Sequence, residues 1–418
     1  MRALLLVGLV PSLLAAQSAT RAGSASSGVS ADRLRRVDTY LQAQVDSSRI
    51  AGAVGLVLRD GTVIYERAVG WADKDGRRPM KTDAIFRIAS QTKALTSIAI
   101  MILFEEGKIA LNNPVSRFIP AYARTTVMAN GKAVPASRPI TIRDLLTHTA
   151  GISYGTDSSL ASLYREQGLG PAAGLGWYTA DKDEPVCTTM ERLATLPFAR
   201  QPGDAWVYGY NTDILGCVVE VASGMPLDAF LRTRITDPLR MTDTHFFLPP
   251  AKRERLVTVY ASDTSNRVSR APDGPRGQGH YVDGPRRNFS GGAGLVSTAR
   301  DYARLLQMLL NGGELDGVRI LSPHTVALMT SNQSGSLYAA NGGQGFGLGF
   351  STVERLGADN TLFSVGAYGW GGAYGSNYRV DPQQGMVVVF MLNQLPNRSD
   401  AAAKFPVLVY QALTVRRD

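Results

Sequence analysis

Ala94–Phe104 is apolar at nearly every position and stops at Gly107. A helix that is apolar all round has no face to offer water, so the rest of the chain must enclose it. A glycine just past the last apolar residue is a usual helix stop. The chain is long enough to do the enclosing: 418 residues, of which 44% are apolar. That content argues against disorder.

Strand signals sit at both ends of the chain. Ala53–Leu58 and Thr62–Val69 flank Asp60-Gly61, a strong hairpin turn. Near the other end, Gly345–Phe350, Leu362–Ala367, Ser376–Val380 and Met386–Leu392 read as strands. Leu34, Val37, Leu41 and Val45 recur at helical spacing behind a capping Ser30, and Ala401–Leu413 reads as a closing helix. The middle holds helical runs at Thr141–Leu146, Thr189–Leu196, Asp213–Ala222 and Leu227–Arg234. Ala299–Leu310 is a further helix, and Ser262–Arg287 reads as a long surface loop. The expected fold is α+β: one antiparallel sheet flanked by helices, residues 31–110 and 288–418, with a mostly helical insertion at 111–287. A site would lie in the cleft between the two parts.

Residues 1–19 have a positive start, a short apolar stretch and small residues, which predicts a secretory signal peptide. Residues 20–30 read as a linker. The mature protein is therefore expected to be exported, periplasmic or extracellular, without stable membrane insertion. The net charge is +9, but the basic runs are short, scattered and free of interleaved aromatics, so nucleic acid is not an expected partner. Two cysteines exclude a disulfide-dense scaffold. Whether Cys187 and Cys217 bridge is not fixed by sequence; Cys217 lies in an apolar run, where a buried free thiol is the expectation. No two of the four histidines have ligand spacing, and neither a metal nor a cofactor is expected.

Three stretches carry chemistry. Ser90-Gln91-Thr92-Lys93 lies where an extended segment enters the apolar helix. Residues three apart share a helix face. The first helical turn also offers free N–H groups to an oxyanion. A lysine in a poorly solvated cleft can accept the serine proton. Next, Pro202–Gly216 places Tyr208 and Tyr210 before a buried helix, and a phenol near a cation can shuttle protons. Last, Trp370-Gly371-Gly372-Ala373 lies in a glycine-rich strand stretch, where a ligand can approach the backbone.

In this order and spacing the three stretches resemble the serine β-lactamase and penicillin-binding-protein superfamily, most closely its class C β-lactamase-like group and the family VIII carboxylesterases. Phe86–Ser90, Ile142–Gly151 and Gly291–Thr298 resemble it too. The resemblance spans about Leu34 to Leu413. It implies Ser90 as nucleophile, Lys93 and Tyr208 as the base/acid pair, and an oxyanion hole from the N–H groups of Ser90 and Ala373. Trp370, Gly371, Gly372 and Tyr210 would complete the substrate site. Two departures bear on substrate. Tyr210 stands where Tyr-x-Asn has its Asn, with Asn211 one place late, and Trp370-Gly371-Gly372 replaces Lys-Thr-Gly. The lost lysine removes a partner for a substrate carboxylate. The resemblance therefore implies hydrolysis of neutral, hydrophobic esters. The alternative is a β-lactamase or D-amino-acid peptidase on the same scaffold, and a non-catalytic penicillin-binding-like module ranks behind both. Gly151-Ile152-Ser153-Tyr154-Gly155 fits the nucleophile elbow of α/β-hydrolases, but it follows a helix rather than a strand. The pocket is expected to be shaped by Ser153–Pro202 and Ser262–Arg287.

Overall fold

The computed structural model describes residues 28–169, 182–274, 277–358 and 360–417. The expected signal peptide, and the linker up to residue 27, lie outside the described residues.

Eight strands form the main sheet: β1 (Gly52–Arg59), β2 (Thr62–Asp73), β3 (Arg78–Pro79), β4 (Gln344–Phe346), β5 (Ser351–Val353), β6 (Tyr368–Gly371), β7 (Asn377–Asp381) and β8 (Met386–Met391). Their order across the sheet is β4-β5-β6-β7-β8-β1-β2-β3. Every pairing is antiparallel, and β1 joins the two ends of the chain, with Val54 opposite Met391. Asp60 (φ +51°) and Gly61 (φ +74°) both occupy the left-handed region that the tight hairpin turn requires.

All positions of β1 are buried, which requires cover on both faces. Helices α1 (Ala31–Asp46) and α5 (Ala401–Tyr410) cover one face, where Val37, Leu41, Phe405 and Val409 meet Ala53, Val57, Val388 and Phe390. Gly55 faces them, and a Cβ there would stand 2.6 Å from the Phe405 ring. Ser30 caps α1 by accepting the Arg33 N–H. The other face packs on α2 (Thr92–Glu105) and α4 (Ala299–Leu310). The residues of α2 from Thr92 to Leu103 are buried, as its composition requires.

The intervening region is mostly helical and includes α3 (Asn211–Ser223) and the short helices Ile142–Leu146 and Val186–Leu193. One hydrophobic cluster runs from Val54 of β1 through α2 and Phe198 to Leu215 of α3 and Tyr302 of α4. The region also holds a small sheet that the sequence reading lacked. Thr126–Ala129 and Lys132–Pro135 pair around Asn130-Gly131, and Pro197–Phe198 adds a parallel edge. Both turn residues have positive φ, so the same signal that marked Asp60-Gly61 was present.

Two strand expectations shift. Gly345–Phe350 does not form one strand, because the chain reverses at Gly349 (φ +103°). Leu362–Ala367 is not a strand: it turns at Gly366 (φ +84°), and Leu362 and Val365 are exposed. Its apolar character had suggested strand, but the pairing belongs to Ser351–Val353 and Tyr368–Gly371. Among the described residues no single helix is long and apolar enough to cross a membrane.

The expectation of a free Cys217 thiol is corrected. Cys187, on Val186–Leu193, and Cys217, on α3, form a disulfide with Cα atoms 4.9 Å apart. The apolar setting of Cys217 suits a bridge as well as a thiol, and only the packing of the two helices brings Cys187 to it. Closing a loop of 30 residues stabilises by about 3–4 kcal/mol in the chain-entropy picture. Unreduced protein should therefore resist alkylation even in denaturant. Reduction should lower the Tm by several degrees, measured by calorimetry with and without a phosphine reductant.

Candidate active site

Ser90 sits in a single 3-10 turn, Ala89–Gln91, directly before α2. Ala89, without a glycine's freedom, adopts φ +43°. That conformation is costly and persists only where the surroundings impose it. Ala89 is fully buried, and its neighbour Ile88 anchors the segment by donating its N–H to the Leu295 carbonyl. The result is a serine at the mouth of a buried helix, itself 5% exposed.

Lys93, one turn on, is 2% exposed. Its Nζ donates to the Gly292 carbonyl at 2.8 Å, the Tyr154 hydroxyl at 3.0 Å and Ser90 Oγ at 3.4 Å. A buried ammonium needs its donors satisfied. Here three different segments supply the acceptors. The nitrogen also lies 4.7 Å from the centre of the Tyr208 ring, a cation–π contact.

Tyr208 is half-buried, stacked on Trp206 at 5.6 Å and packed against His148 at 4.8 Å. Its hydroxyl accepts the indole N–H of Trp370 at 3.0 Å. Trp370 is on β6 opposite Tyr378, so the pairing of β6 with β7 sets its direction. Phe346 and Tyr338 complete an aromatic wall, with ring centres 5.3 and 6.4 Å from Trp370.

The glycines after Trp370 permit a close approach. A Cβ at Gly372 would stand 2.5 Å from the Ile88 carbonyl. Any larger residue would push the strand end off the serine turn. The Gly372 N–H closes the hairpin on Ser376, while Ala373 packs in the cluster that contains Ala89. The backbone of residues 372–373 is thereby held against the segment that leads into Ser90.

The structure thus brings Ser90, Lys93, Tyr208, Trp370, Gly371, Gly372 and Ala373 to one place. Tyr210 is placed differently from its neighbours. It is 3% exposed, at the start of α3, with its ring 4.8 Å from that of Tyr154. Asn211 is buried and ties the loops together, donating to His148 Nδ1 at 2.9 Å and to the Ile152 carbonyl at 3.3 Å. Ser153 Oγ accepts the Gly155 N–H at 3.1 Å, within its own turn. The elbow-like pentapeptide contributes its tyrosine instead. Tyr154, Gly292 and His148 were not singled out as site residues from the sequence. Tyr154 stood inside the discounted motif, and Gly292 and His148 inside stretches noted only for resemblance. Among the described residues, no group of His, Cys, Asp or Glu could hold a metal ion.

Residues 37–412 match the family described as Beta-lactamase, and the chain belongs to that family. Esterase EstB of Burkholderia gladioli is 34% identical over 374 residues, covering 86% of this chain and 90% of that protein. Lovastatin esterase of Penicillium rubens is 32% identical over 350 residues, covering 80% of this chain and 82% of that protein. Among solved structures, EstCE1, a hydrolase with promiscuous acyltransferase activity, aligns with a TM-score of 0.77 at 29% identity, over 92% of this chain and 99% of that one. The antiparallel sheet with flanking helices is the fold this chain shares with EstCE1.

His148 gives a pH signature. Burial, and then the charge of Lys93, hold its imidazole well below the usual 6.5. Below pH 6.5 the unfolded chain takes up this proton and the folded chain does not. Stability therefore falls with falling pH, by up to ~1.4 kcal/mol per pH unit from this group. Urea denaturation between pH 8 and 5 should show that slope in the wild type. His148→Gln should lack this component, so that the gap between the two proteins narrows on acidification.

Proposed function

We propose that the protein is a serine hydrolase that cleaves carboxylic esters through an acyl-Ser90 intermediate. Ser90 Oγ attacks the ester carbonyl carbon, and its proton passes to the Lys93/Tyr208 pair. The N–H groups of Ser90 and Ala373 stabilise the oxyanion. The bond from carbonyl carbon to alcohol oxygen then breaks, and the alcohol leaves with the proton. Water repeats the sequence on the acyl-enzyme, releasing the acid and restoring Ser90.

The observation that carries this reading is the hydrogen bond from Trp370 Nε1 to the Tyr208 hydroxyl at 3.0 Å. The lactamases and peptidases that the chain resembles have a lysine at this point. An indole keeps a donor on the phenol oxygen without its positive charge. The site loses a partner for a substrate carboxylate and gains an apolar wall with Trp206 and Phe346. Neutral esters suit such a wall better than β-lactams or D-amino-acid peptides, whose carboxylates would be buried unpaired. The two esterase relatives agree in class. The partner is then a small neutral ester, and the scheme calls for no metal or cofactor. Export from the cytoplasm belongs to the same proposal. The leader-like residues 1–19 support it, and so does the bridge of Cys187 to Cys217, which suits an oxidising compartment.

Purified protein should hydrolyse short p-nitrophenyl esters and turn over a chromogenic cephalosporin poorly. A fluorophosphonate should leave its adduct on the Ser90 peptide. Ser90→Ala should abolish both, and Tyr208→Phe should lower kcat by ~10²–10⁴-fold. Strong cephalosporin turnover without ester turnover would overturn the substrate assignment. An adduct on Ser153 would overturn the nucleophile.

A further inference from the structure

Asp213 is a buried acid on the first turn of α3, 2% exposed, with no part in the scheme above. Its side chain reaches across to the loop Ser290–Gly292. Oδ1 accepts the Ser290 hydroxyl at 2.5 Å and the Gly292 N–H at 3.1 Å. The carbonyl of the same Gly292 is the acceptor nearest to Lys93 Nζ. One residue therefore separates the carboxylate from the lysine, holding Asp213 by its N–H and Lys93 by its C=O.

The loop is confined on every side. Thr96 of α2 donates its hydroxyl to the Gly291 carbonyl at 2.8 Å. A Cβ at Gly291 would stand 2.6 Å from the Thr212 carbonyl, and one at Gly292 would stand 2.4 Å from Asp213 Oδ2. Only a glycine pair lets the backbone run between α2 and α3 at this depth. Oδ2 has no hydrogen-bond donor among the described residues.

We propose that Asp213 is a positioning residue for the hydrolytic reaction, holding the Gly292 peptide by its N–H so that its carbonyl stays on Lys93. The proposal rests on the Ser90–Lys93 reading above and deepens it. Lys93 must be held as an ordered donor yet remain able to act as a base. A carbonyl locates the ammonium without neutralising it. Behind that carbonyl, one peptide away from the ammonium, stands the Asp213 carboxyl. Burial holds the Asp213 carboxyl above its ordinary value, and the Lys93 charge, the Ser290 hydroxyl and the Gly292 N–H only partly offset it. The other titratable groups facing the pair are His148 and the phenols of Tyr122, Tyr154 and Tyr208. Burial keeps His148 and Tyr122 neutral. The charge balance of the site therefore turns on Lys93 and Asp213.

The test compares wild type, Asp213→Asn, Asp213→Ala and Ser290→Ala, all as the full mature chain, by kcat and KM for a p-nitrophenyl ester from pH 5 to 9 and by the rate of fluorophosphonate labelling at Ser90. Asp213→Asn keeps an oxygen acceptor and removes the charge. Its acid limb of kcat/KM should move down by about one pH unit, with KM changed less than twofold. Asp213→Ala should lower kcat by ~10²-fold with a similar KM, as expected when a reacting group is misplaced. Ser290→Ala removes one donor that favours the carboxylate and should move the limb the same way by less, which keeps the test open should the Asp213 variants not fold. Folded variants whose acid limb and kcat match the wild type would overturn the proposal and leave Asp213 as a loop brace. Wild-type protein with no ester turnover and no label on Ser90 would instead overturn the hydrolase reading, and this is visible before any Asp213 variant is made.

Discussion

A cation in the interior is the constraint on which the rest of this molecule depends. Lys93 lies almost wholly out of water, and its ammonium must be matched by acceptors that the fold delivers. They come from Ser90 in the turn that leads into the same helix, from Tyr154 in the helical region, and from Gly292 at the start of the C-terminal segment. A phenol ring supplies a fourth contact. These segments are far apart in sequence and can meet only once the sheet has closed and α2 and α3 have packed. The helix that carries the lysine is buried from Thr92 to Leu103, as its nearly all-apolar surface requires.

Glycines are the second element of the design, and they work by absence. Gly372 lets the end of β6 touch the turn before Ser90, and Gly291 with Gly292 lets a loop pass between two core helices. In each case a backbone group is brought where a side chain would otherwise stand. The strained Ala89 belongs to the same economy of space: its Cβ packs where the chain turns too sharply for an ordinary conformation.

Much of this was legible in the sequence. The apolar run after Lys93, the Asp60-Gly61 turn and the strand pairs at both ends pointed to the α+β sheet, and Ser-x-x-Lys at the mouth of that run pointed to Ser90 and Lys93 side by side, as they stand. What escaped has physical causes. The Cys187–Cys217 bridge depends on the packing of two helices, which spacing along the chain does not report. Leu362–Ala367 has the composition of a strand but no partner strand in register. Tyr154 was overlooked because its pentapeptide draws attention to the serine, while only the three-dimensional path shows that the tyrosine is the residue aimed at Lys93. Tyr208 was named from its setting before α3, but its tryptophan partner on β6 could be known only from the sheet.

The pairing of β1 with β8 has a consequence for how the molecule comes into being. Val54 cannot find Met391 until nearly the whole chain has been synthesised, and the Ser30 N–H finds the Ala412 carbonyl later still. Contacts so distant along the chain form slowly, after local helices and hairpins. A nascent chain emerging from the ribosome would carry α2 and its lysine for several hundred residues without the strand that completes their shelter. Until that strand is added, the apolar surface of α2 and β1 lacks part of its cover.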